Sequence, residues 1–477
     1  FVTYIARVLP SLGEDEVTLA SLGSMVVGTA LVGGAAVRHD EAAVATIKGS
    51  QRLVRVLARA SQDNPPEAPT ELRLLFRGQL LRLERRDLDE LRRTVLGLGS
   101  PRNAVRRKAA GYLLNALWLQ AKELLGSSWS MPREEFAEQI AERREFIAFM
   151  NGWWPVLTPI DVLRWLSDPA RLRSYANGLL DRTEVALLSG SLAALPPLNK
   201  RGEADVSVED VALIDELDEL LGTPPRRKRQ AADPYTVNGV MELSTHFERQ
   251  AAARRAAVER PADYREYAHI VVDEAQDVSP MQWRMIGRRA SLASWTIVGD
   301  PAQSAWQGEP GETRRARDAA LRGRKRNEYA LTTNYRNSVE IFDVASSVVR
   351  RAIPGIELPT AVRRSGVQPE LELVNDLAPA VLAATQRLLS TVEGTVGVVA
   401  TQASRGRVAG WLASIDDPRL QVVTSMEAKG MEYDGVLVVE PDAIIDESPS
   451  GVRTLYVALS RATQRLSTVG TTERWGS

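Results

Sequence analysis

The stretch Ile270-Val271-Val272-Asp273-Glu274-Ala275-Gln276-Asp277 decides the fold class of this chain. Three β-branched apolar residues run directly into two adjacent carboxylates, which is typical of a buried parallel strand that ends at a polar edge. One carboxylate there can hold Mg²⁺ through water, and its neighbour can orient or deprotonate an attacking water. The alternative is a strand followed by an acidic helix cap, for which Asp277 and Ser279 are suitable residues. The stretch alone favours nucleotide chemistry and leaves the cap open.

The rest of the C-terminal half alternates short apolar runs with segments of helical spacing, which predicts βαβ units around parallel sheets. We predict two such sheets, with the break near Lys325–Glu328. The predicted strands are Ile270–Val272, Trp295–Val298, Glu328–Leu331, Glu370–Val374, Thr395–Ala400, Leu420–Thr424 and Gly435–Glu440.

Residues from about 40 to 235 are rich in Leu, Ala, Arg and Glu and predict a helical region. Apolar residues recur every three or four positions from Val105 to Leu124, and helices are also predicted over Leu72–Leu96 and Glu134–Phe149. An acidic helical segment, Glu209–Leu221, precedes a basic, Pro-containing stretch, Thr223–Asp233. That stretch is either a solvated linker or a contact for nucleic acid or protein.

Composition excludes several classes of protein. The 477 residues include no Cys and three His, which excludes disulfides, thiol catalysis and cysteine-ligated zinc. The net charge of −1 does not indicate a uniformly basic nucleic-acid binder. The chain lacks an apolar run of the roughly 18 residues that a membrane span needs and does not open with a secretory signal pattern. We therefore expect a cytoplasmic protein without membrane partners.

Four further motifs follow the opening stretch in order. Two are predicted strands with polar ends. Thr296–Gln303 ends in a Gly-Asp turn followed by an amide side chain, and Leu331–Arg336 ends in an aromatic ring beside a guanidinium. An amide can hydrogen-bond a terminal phosphate or its attacking water, and an arginine fork suits a phosphate because it donates in a plane and stays charged. The other two motifs are Ala428–Asp434 and Leu455–Ala462.

This ordered set resembles the UvrD/Rep helicases of superfamily 1, and the resemblance covers Ala268–Gly470 best. It implies an α/β fold of the P-loop NTPase type, with two RecA-like parallel-sheet domains, ATP and Mg²⁺ in the cleft between them, and a large helical insertion in the first domain. By position, it implies Asp273 for Mg²⁺, Glu274 as catalytic carboxylate, Gln303 as sensor of the terminal phosphate, Tyr335 stacked near the adenine, Arg336 and Arg461 as arginine fingers, Glu432 at the ribose, and Asp300 as a further nucleotide-binding residue.

Two departures from that pattern matter. The phosphate-binding loop GxxxxGK[ST] is absent, since none of the seven Lys follows a Gly. We expect that loop upstream of a segment similar to Phe1–Gly13, and we expect the given chain to bind ATP poorly and not hydrolyse it. After Gln303 only Trp306 remains as a candidate base-stacking aromatic. The predicted domains are 1–39, the start of the first RecA-like domain; 40–235, the helical insertion; 236–326, the rest of the first domain; and 327–477, the second domain.

The placement of the insertion is similar to that in the HelD family, helicase-like factors of Gram-positive bacteria. That resemblance implies an ATPase of the bacterial cytosol or nucleoid that binds core RNA polymerase as a monomer, opens its clamp and helps release it from nucleic acid. The insertion would be a protein-binding wedge whose loop Thr223–Asp233 and acidic helix contact polymerase or occupy the space of nucleic acid, and nucleic acid would be a secondary partner. The alternatives are an ATP-dependent DNA helicase or translocase of repair, and a catalytically dead scaffold.

Overall fold

The chain folds as two compact units. The computed structural model describes residues 17–26, 29–126, 129–222, 266–304, 306, 308–309, 311–353 and 355–476. No helix within these described residues is both long and apolar enough to cross a membrane. We call the units the helical unit, Ala20–Glu266 with Pro280–Ser291, and the motif unit, Phe1–Leu19 with Tyr267–Ser279 and Leu292–Ser477.

The helical unit is built on amphipathic helices, as the Leu- and Ala-rich composition predicts. The helix predicted from Val105 to Leu124 is confirmed: Ala109, Leu113 and Leu117 are fully buried along one face. The described helices are α1 (Ala42–Gly49), α2 (Arg52–Gln62), α3 (Arg85–Leu96), α4 (Arg106–Leu125), α5 (Arg133–Ala141), α6 (Arg144–Trp153), α7 (Pro159–Trp165), α8 (Pro169–Ala176), α9 (Arg182–Ala193), α10 (Val208–Leu221) and α11 (Pro280–Arg288).

The prediction of one helix over Leu72–Leu96 was wrong for its first half. Two antiparallel strands, β1 (Leu72–Phe76) and β2 (Gln79–Leu83), form a hairpin there. The turn residues Arg77 and Gly78 both have positive φ, 48° and 79°, which is the backbone of a two-residue hairpin turn. Alternate residues of both strands are buried, so the leucines follow a period of two and not of 3.6.

The acidic helix α10 lies in the core of the helical unit, and the expectation that it contacts a partner was wrong. Every residue from Val211 to Leu217 is buried. The carboxylates are internal because cations meet them: Lys48 lies 2.6 Å from Asp210, and Arg289 lies 2.7 Å from Asp215. The predicted helix Glu134–Phe149 is also interrupted, since α5 ends at Ala141 and α6 begins at Arg144.

The motif unit contains parallel sheets, as predicted, but three are described where two were predicted, and β3 and β4 are mostly exposed or half-buried where buried strands were predicted. Five strands pair in the order β7-β11-β10-β8-β9, and two separate parallel pairs join β3 to β4 and β5 to β6. The described strands are β3 (His269–Val272), β4 (Ser294–Ile297), β5 (Thr333–Ser338), β6 (Thr360–Arg363), β7 (Glu370–Leu373), β8 (Val396–Ala400), β9 (Leu420–Thr424), β10 (Tyr433–Val439) and β11 (Ala462–Gly470).

Helices connect these strands, and β8 and β10 are buried along nearly their whole length. The strand predicted at Glu328–Leu331 was wrong: the segment is irregular, and Tyr329 and Leu331 are each 89% exposed. Its strand begins later, at Thr333. The described helices are α12 (Glu312–Ala320), α13 (Val339–Ala352), α14 (Leu377–Thr391), α15 (Arg405–Trp411), α16 (Pro441–Asp446) and α17 (Gly451–Leu459).

Candidate nucleotide site

The two adjacent carboxylates lie at the C-terminal end of β3, where the sequence predicted them. Asp273 is exposed, and its Oδ1 accepts the backbone N–H of Glu274 at 2.9 Å. Glu274 has a φ of 50°, in the left-handed region that non-glycine residues rarely adopt. Such strain persists where the surroundings impose it and is common at functional sites. Here it turns the chain sharply at the end of the strand.

The Gly-Asp turn after β4 packs directly against this strand end. A Cβ at Gly299 would lie 2.7 Å from Oε1 of Gln276 and 3.2 Å from the backbone nitrogens of Ala275 and Gln276, so a larger residue here would displace the Gln276 side chain. Gln276 then joins the two segments. Its amide donates to Oε2 of Glu274 at 2.6 Å, and its carbonyl oxygen accepts the backbone N–H of Asp300 at 2.9 Å.

A chain of hydrogen bonds continues from Asp300 to Arg461. Asp300 caps the short turn Pro301–Gln303 through the N–H of Ala302, and its second oxygen accepts the side-chain amide of Gln303 at 2.7 Å. Oε1 of Gln303 in turn accepts from Nη2 of Arg461 at 3.1 Å. We call the connected set Glu274, Gln276, Asp300, Gln303 and Arg461 the polar relay.

Arg461 is a buried cation and not a surface ion pair. Only 3% of it is exposed, and its guanidinium donates to the carbonyl of Val457 at 3.1 Å. Burial lowers the pKa of Arg461, and the nearby charge of Arg336 lowers it further, while Glu274 opposes the shift. The site thus holds two neighbouring positive charges, an arrangement that an anionic ligand would stabilise.

Arg336 and Glu432 form an exposed ion pair at 2.5 Å. They line an open cleft of about 640 Å³ together with Tyr335, which is 75% exposed. A cleft of this size suits a nucleotide-sized ligand. The remaining lining residues are Arg363, Ser365, Thr463, Gln464 and Arg465.

The structure therefore brings the predicted residues into two groups, and the members of each group lie together. Glu274, Asp300, Gln303 and Arg461 share the polar relay; Tyr335, Arg336 and Glu432 share the cleft. Asp273 joins the first group only through the backbone of Glu274. Trp306, the candidate base-stacking residue, is half-buried, with its indole against Gly308.

Sequence reasoning missed three residues that hold the site together. Gln276 bridges the relay, and Nζ of Lys429 pairs with Asp277 and donates to the carbonyl of Gln303 at 3.1 Å. Asn337, which is 3% exposed, donates to the carbonyls on either side of Arg461, at Ser460 and Ala462. Gln276 and Lys429 stood inside quoted motifs, but only their distances reveal these contacts.

Comparison with known proteins supports a relationship to one helicase family. The pattern of the UvrD/REP helicase N-terminal domain matches residues 243–308, which include both carboxylates and the Gly-Asp turn. Among solved structures, the chain is similar to the C-terminal domain of a possible DNA helicase from Lactobacillus plantarum WCFS1, with 19% identity and a TM-score of 0.22, over 29% of this chain and 87% of that chain. No curated protein matches the sequence.

Proposed function

We propose that the motif unit carries the ATP-responding machinery of a UvrD/Rep-type motor, folded as RecA-like domains. The polar relay carries this proposal, because it connects a carboxylate, an amide and a buried arginine from three separate sequence motifs. A terminal phosphate that engaged Gln303 and Arg461 would alter hydrogen bonds that reach Glu274. The relay would thus couple phosphate binding to the position of the catalytic carboxylate.

The residues present fit Mg²⁺ and ATP in part. Mg²⁺ is commonly held by one or two carboxylates together with substrate phosphates and water. Asp273, exposed at the end of β3, offers one such carboxylate, although no group of three or more candidate ligands occurs among the described residues. Bound Mg²⁺ would neutralise phosphate charge during hydrolysis. Arg336 and Arg461 would add positive charge, Tyr335 would stack on the base and Glu432 would accept from the ribose.

A titration with a fluorescent ATP analogue and Mg²⁺ tests this proposal. We expect weak saturable binding without turnover, because the 477 residues contain no Gly-Lys phosphate loop. Tyr335→Ala should weaken binding several-fold, whereas Tyr329→Ala, at a tyrosine that is also exposed but does not line the cleft, should not. Equal affinities for both variants would contradict the site, and steady turnover would contradict the expected need for the loop.

The finer proposal is a HelD-like factor that binds core RNA polymerase, opens its clamp and helps release it from nucleic acid. It is supported by where the helical unit enters the chain, before β3, and by the residues between Arg336 and Lys429, which all belong to the motif unit, so that no separate compact unit enters the chain there. The helical unit would be the wedge, although its acidic helix is buried and cannot supply the contact surface.

The alternative is a DNA helicase or translocase of the UvrD/Rep type acting in repair. The family match to residues 243–308 fits it equally well. Co-elution of the chain with core RNA polymerase on a sizing column, with a DNA duplex as the parallel partner, separates the two. Co-elution with polymerase alone supports the HelD-like proposal, and retention by DNA alone supports the translocase.

A further inference from the structure

The helical unit contains two buried arginines whose charges no described side chain balances directly. Arg92 lies on α3 and is 5% exposed; Arg102 lies in the turn before α4 and is 2% exposed. Neither guanidinium makes an ion pair within 4 Å of a carboxylate among the described residues. Buried arginines are rare without such a partner, since an isolated charge is costly to remove from water.

Both guanidiniums stack on the same tryptophan. The central carbon of Arg92 lies 5.0 Å from the centroid of Trp154, and that of Arg102 lies 5.2 Å from it. Arg92 also stacks on Trp153 at 4.9 Å. The two cations are therefore no more than about 10 Å apart, each fixed by cation–π contact.

One edge of each guanidinium binds the end of a helix. Nη2 of Arg92 donates at 2.5 Å to the carbonyl of Trp153, the last residue of α6. Nη1 of Arg102 donates to the carbonyls of Ser61 and Asp63, at 3.1 and 2.8 Å, where α2 ends. The remaining donors are bare: Nε and Nη1 of Arg92, which flank its bound Nη2, and Nε and Nη2 of Arg102 are buried without a hydrogen-bond partner among the described residues.

The nearby charges leave an excess of positive charge. Each helix C-terminus contributes roughly half a negative charge. The carboxylate of Asp63 acts on both arginines, but it already accepts from Tyr175 at 2.6 Å and from the cation Arg171 at 2.9 Å. Burial lowers the pKa of Arg92 to about 10 and that of Arg102 to about 9, so both remain charged at neutral pH. The carboxylate of Asp89 also acts on Arg92, but it is exposed and screened by solvent, so the buried groups alone leave about one positive charge without compensation.

We propose that the unpartnered donors of Arg92 and Arg102 bind a small monovalent inorganic anion inside the helical unit. Such an ion would accept from donors that otherwise lack partners and would offset the excess charge, and both features destabilise a buried site when they are unmet. This anion site would be a structural ligand of the helical unit, independent of any nucleotide bound to the motif unit.

Thermal unfolding in chloride tests the site. Chloride is the probe, and gluconate, which is too large for a buried site, maintains the ionic strength. A millimolar site should raise the Tm by about 4–8 °C as chloride increases from about 1 to about 300 mM. Arg92→Met and Arg102→Met should each abolish most of this rise, whereas Arg93→Met, at an exposed arginine on the same helix, should leave it unchanged.

Bromide provides a second measurement, which locates the anion directly in the folded wild-type chain. Crystals of the wild-type chain grown in bromide should show an anomalous peak between the two guanidiniums, with no peak there in Arg102→Met. An ordered water at this position, or a chloride-dependent Tm that is the same in all three variants, would overturn the proposal. A Tm that responds equally to gluconate would do so as well, since it would report ionic strength alone.

Discussion

The core of the helical unit and the polar relay of the motif unit use the same kinds of residues in opposite ways. In the helical unit, Asp215 is buried and faces Arg288 and Arg289. In the motif unit, Glu274 and Asp273 have no cation within 4 Å among the described residues, while Arg461 is buried with an amide as its polar side-chain partner. The charges around Asp215 are matched, whereas Arg461 has no carboxylate within 4 Å among the described residues and remains open to a ligand.

The difference separates structural charge from functional charge. A matched buried pair holds helices together, and breaking it leaves a buried charge uncompensated. Unmatched charges that neighbour each other lower stability until a ligand of opposite sign arrives, which is the usual condition of a binding site. If this view is correct, removing a charge should have opposite effects on stability in the two regions.

The largest effect is expected for Asp215→Ala. It would leave Arg289, which is 3% exposed, and Arg288 buried without their shared carboxylate. We expect the free energy of unfolding of the helical unit to fall by about 3–5 kcal/mol. Urea unfolding followed by tryptophan fluorescence would measure this. The matched control Asp318→Ala removes the carboxylate of an exposed pair with Arg326 and should cost less than about 1 kcal/mol.

Arg461→Met tests the opposite case. The thioether can occupy the space of the side chain, and the substitution removes a cation whose pKa burial and Arg336 depress. We expect the urea midpoint to stay the same or rise, while the affinity for Mg·ATP falls about tenfold, or about 1.4 kcal/mol. Arg405→Met, at an exposed arginine paired with Glu427, should change neither quantity. A clear loss of stability in Arg461→Met would mean that this arginine is structural too.

Six of the nine described strands of the motif unit were predicted, because they are short apolar runs, whereas β5, β6 and β11 were missed because their residues are largely polar. Prediction from the sequence failed where periodicity was ambiguous: the leucines from Leu72 to Leu83 fit a helix or a hairpin, and the Arg77-Gly78 turn decides between them. It also failed for α10, whose acidic residues were expected at the surface but are mostly buried or half-buried. Nothing in the acidic run of α10 shows that Lys48 and the arginines of α11 would meet it inside the core.

For the site, the sequence predicted residue types and order but not connections. The motifs placed Glu274, Gln303 and Arg461 on separate segments, and only the fold shows that Gln276 and Asp300 link them. Such links depend on rotamers and on close backbone approach at Gly299, which no spacing rule contains. The predicted domain boundaries and catalytic roles stay predictions.

A pH-dependent effect is expected from Asp218, a half-buried carboxylate of α10 that makes no ion pair within 4 Å among the described residues. Burial raises the pKa of Asp218 to about 8, with Asp215 adding to the shift and Arg289 and Arg288 opposing it. Because the folded protein keeps this proton while the unfolded chain loses it above about pH 4, stability should fall as the pH rises towards 8, by up to about 1 kcal/mol per unit, and level off above 8.

Asp218→Asn isolates this contribution. The amide has the same shape and does not ionise, so the variant should be more stable than the wild type at pH 8, and the difference between them should shrink at pH 5.5. Asp205→Asn, at an exposed position of the same unit, serves as the control and should show no such trend. A difference that does not vary with pH would show that Asp218 is ionised in the fold.

The smallest change in stability is expected for Glu432→Gln, because Glu432 is paired with a cation but also lines the cleft. Its pair with Arg336 is half-exposed, so the free energy of unfolding should change by less than about 0.5 kcal/mol.

The substitution Glu432→Gln should instead change ligand choice, because a carboxylate that accepts from the ribose favours ATP over dATP, and an amide does so less strongly. We expect the ratio of the two affinities to approach one in Glu432→Gln. Glu370→Gln, at another exposed carboxylate paired with an arginine, should keep the wild-type ratio. An unchanged ratio in Glu432→Gln would leave Glu432 as a partner of Arg336 alone, and the cleft would then recognise phosphate and base without the sugar.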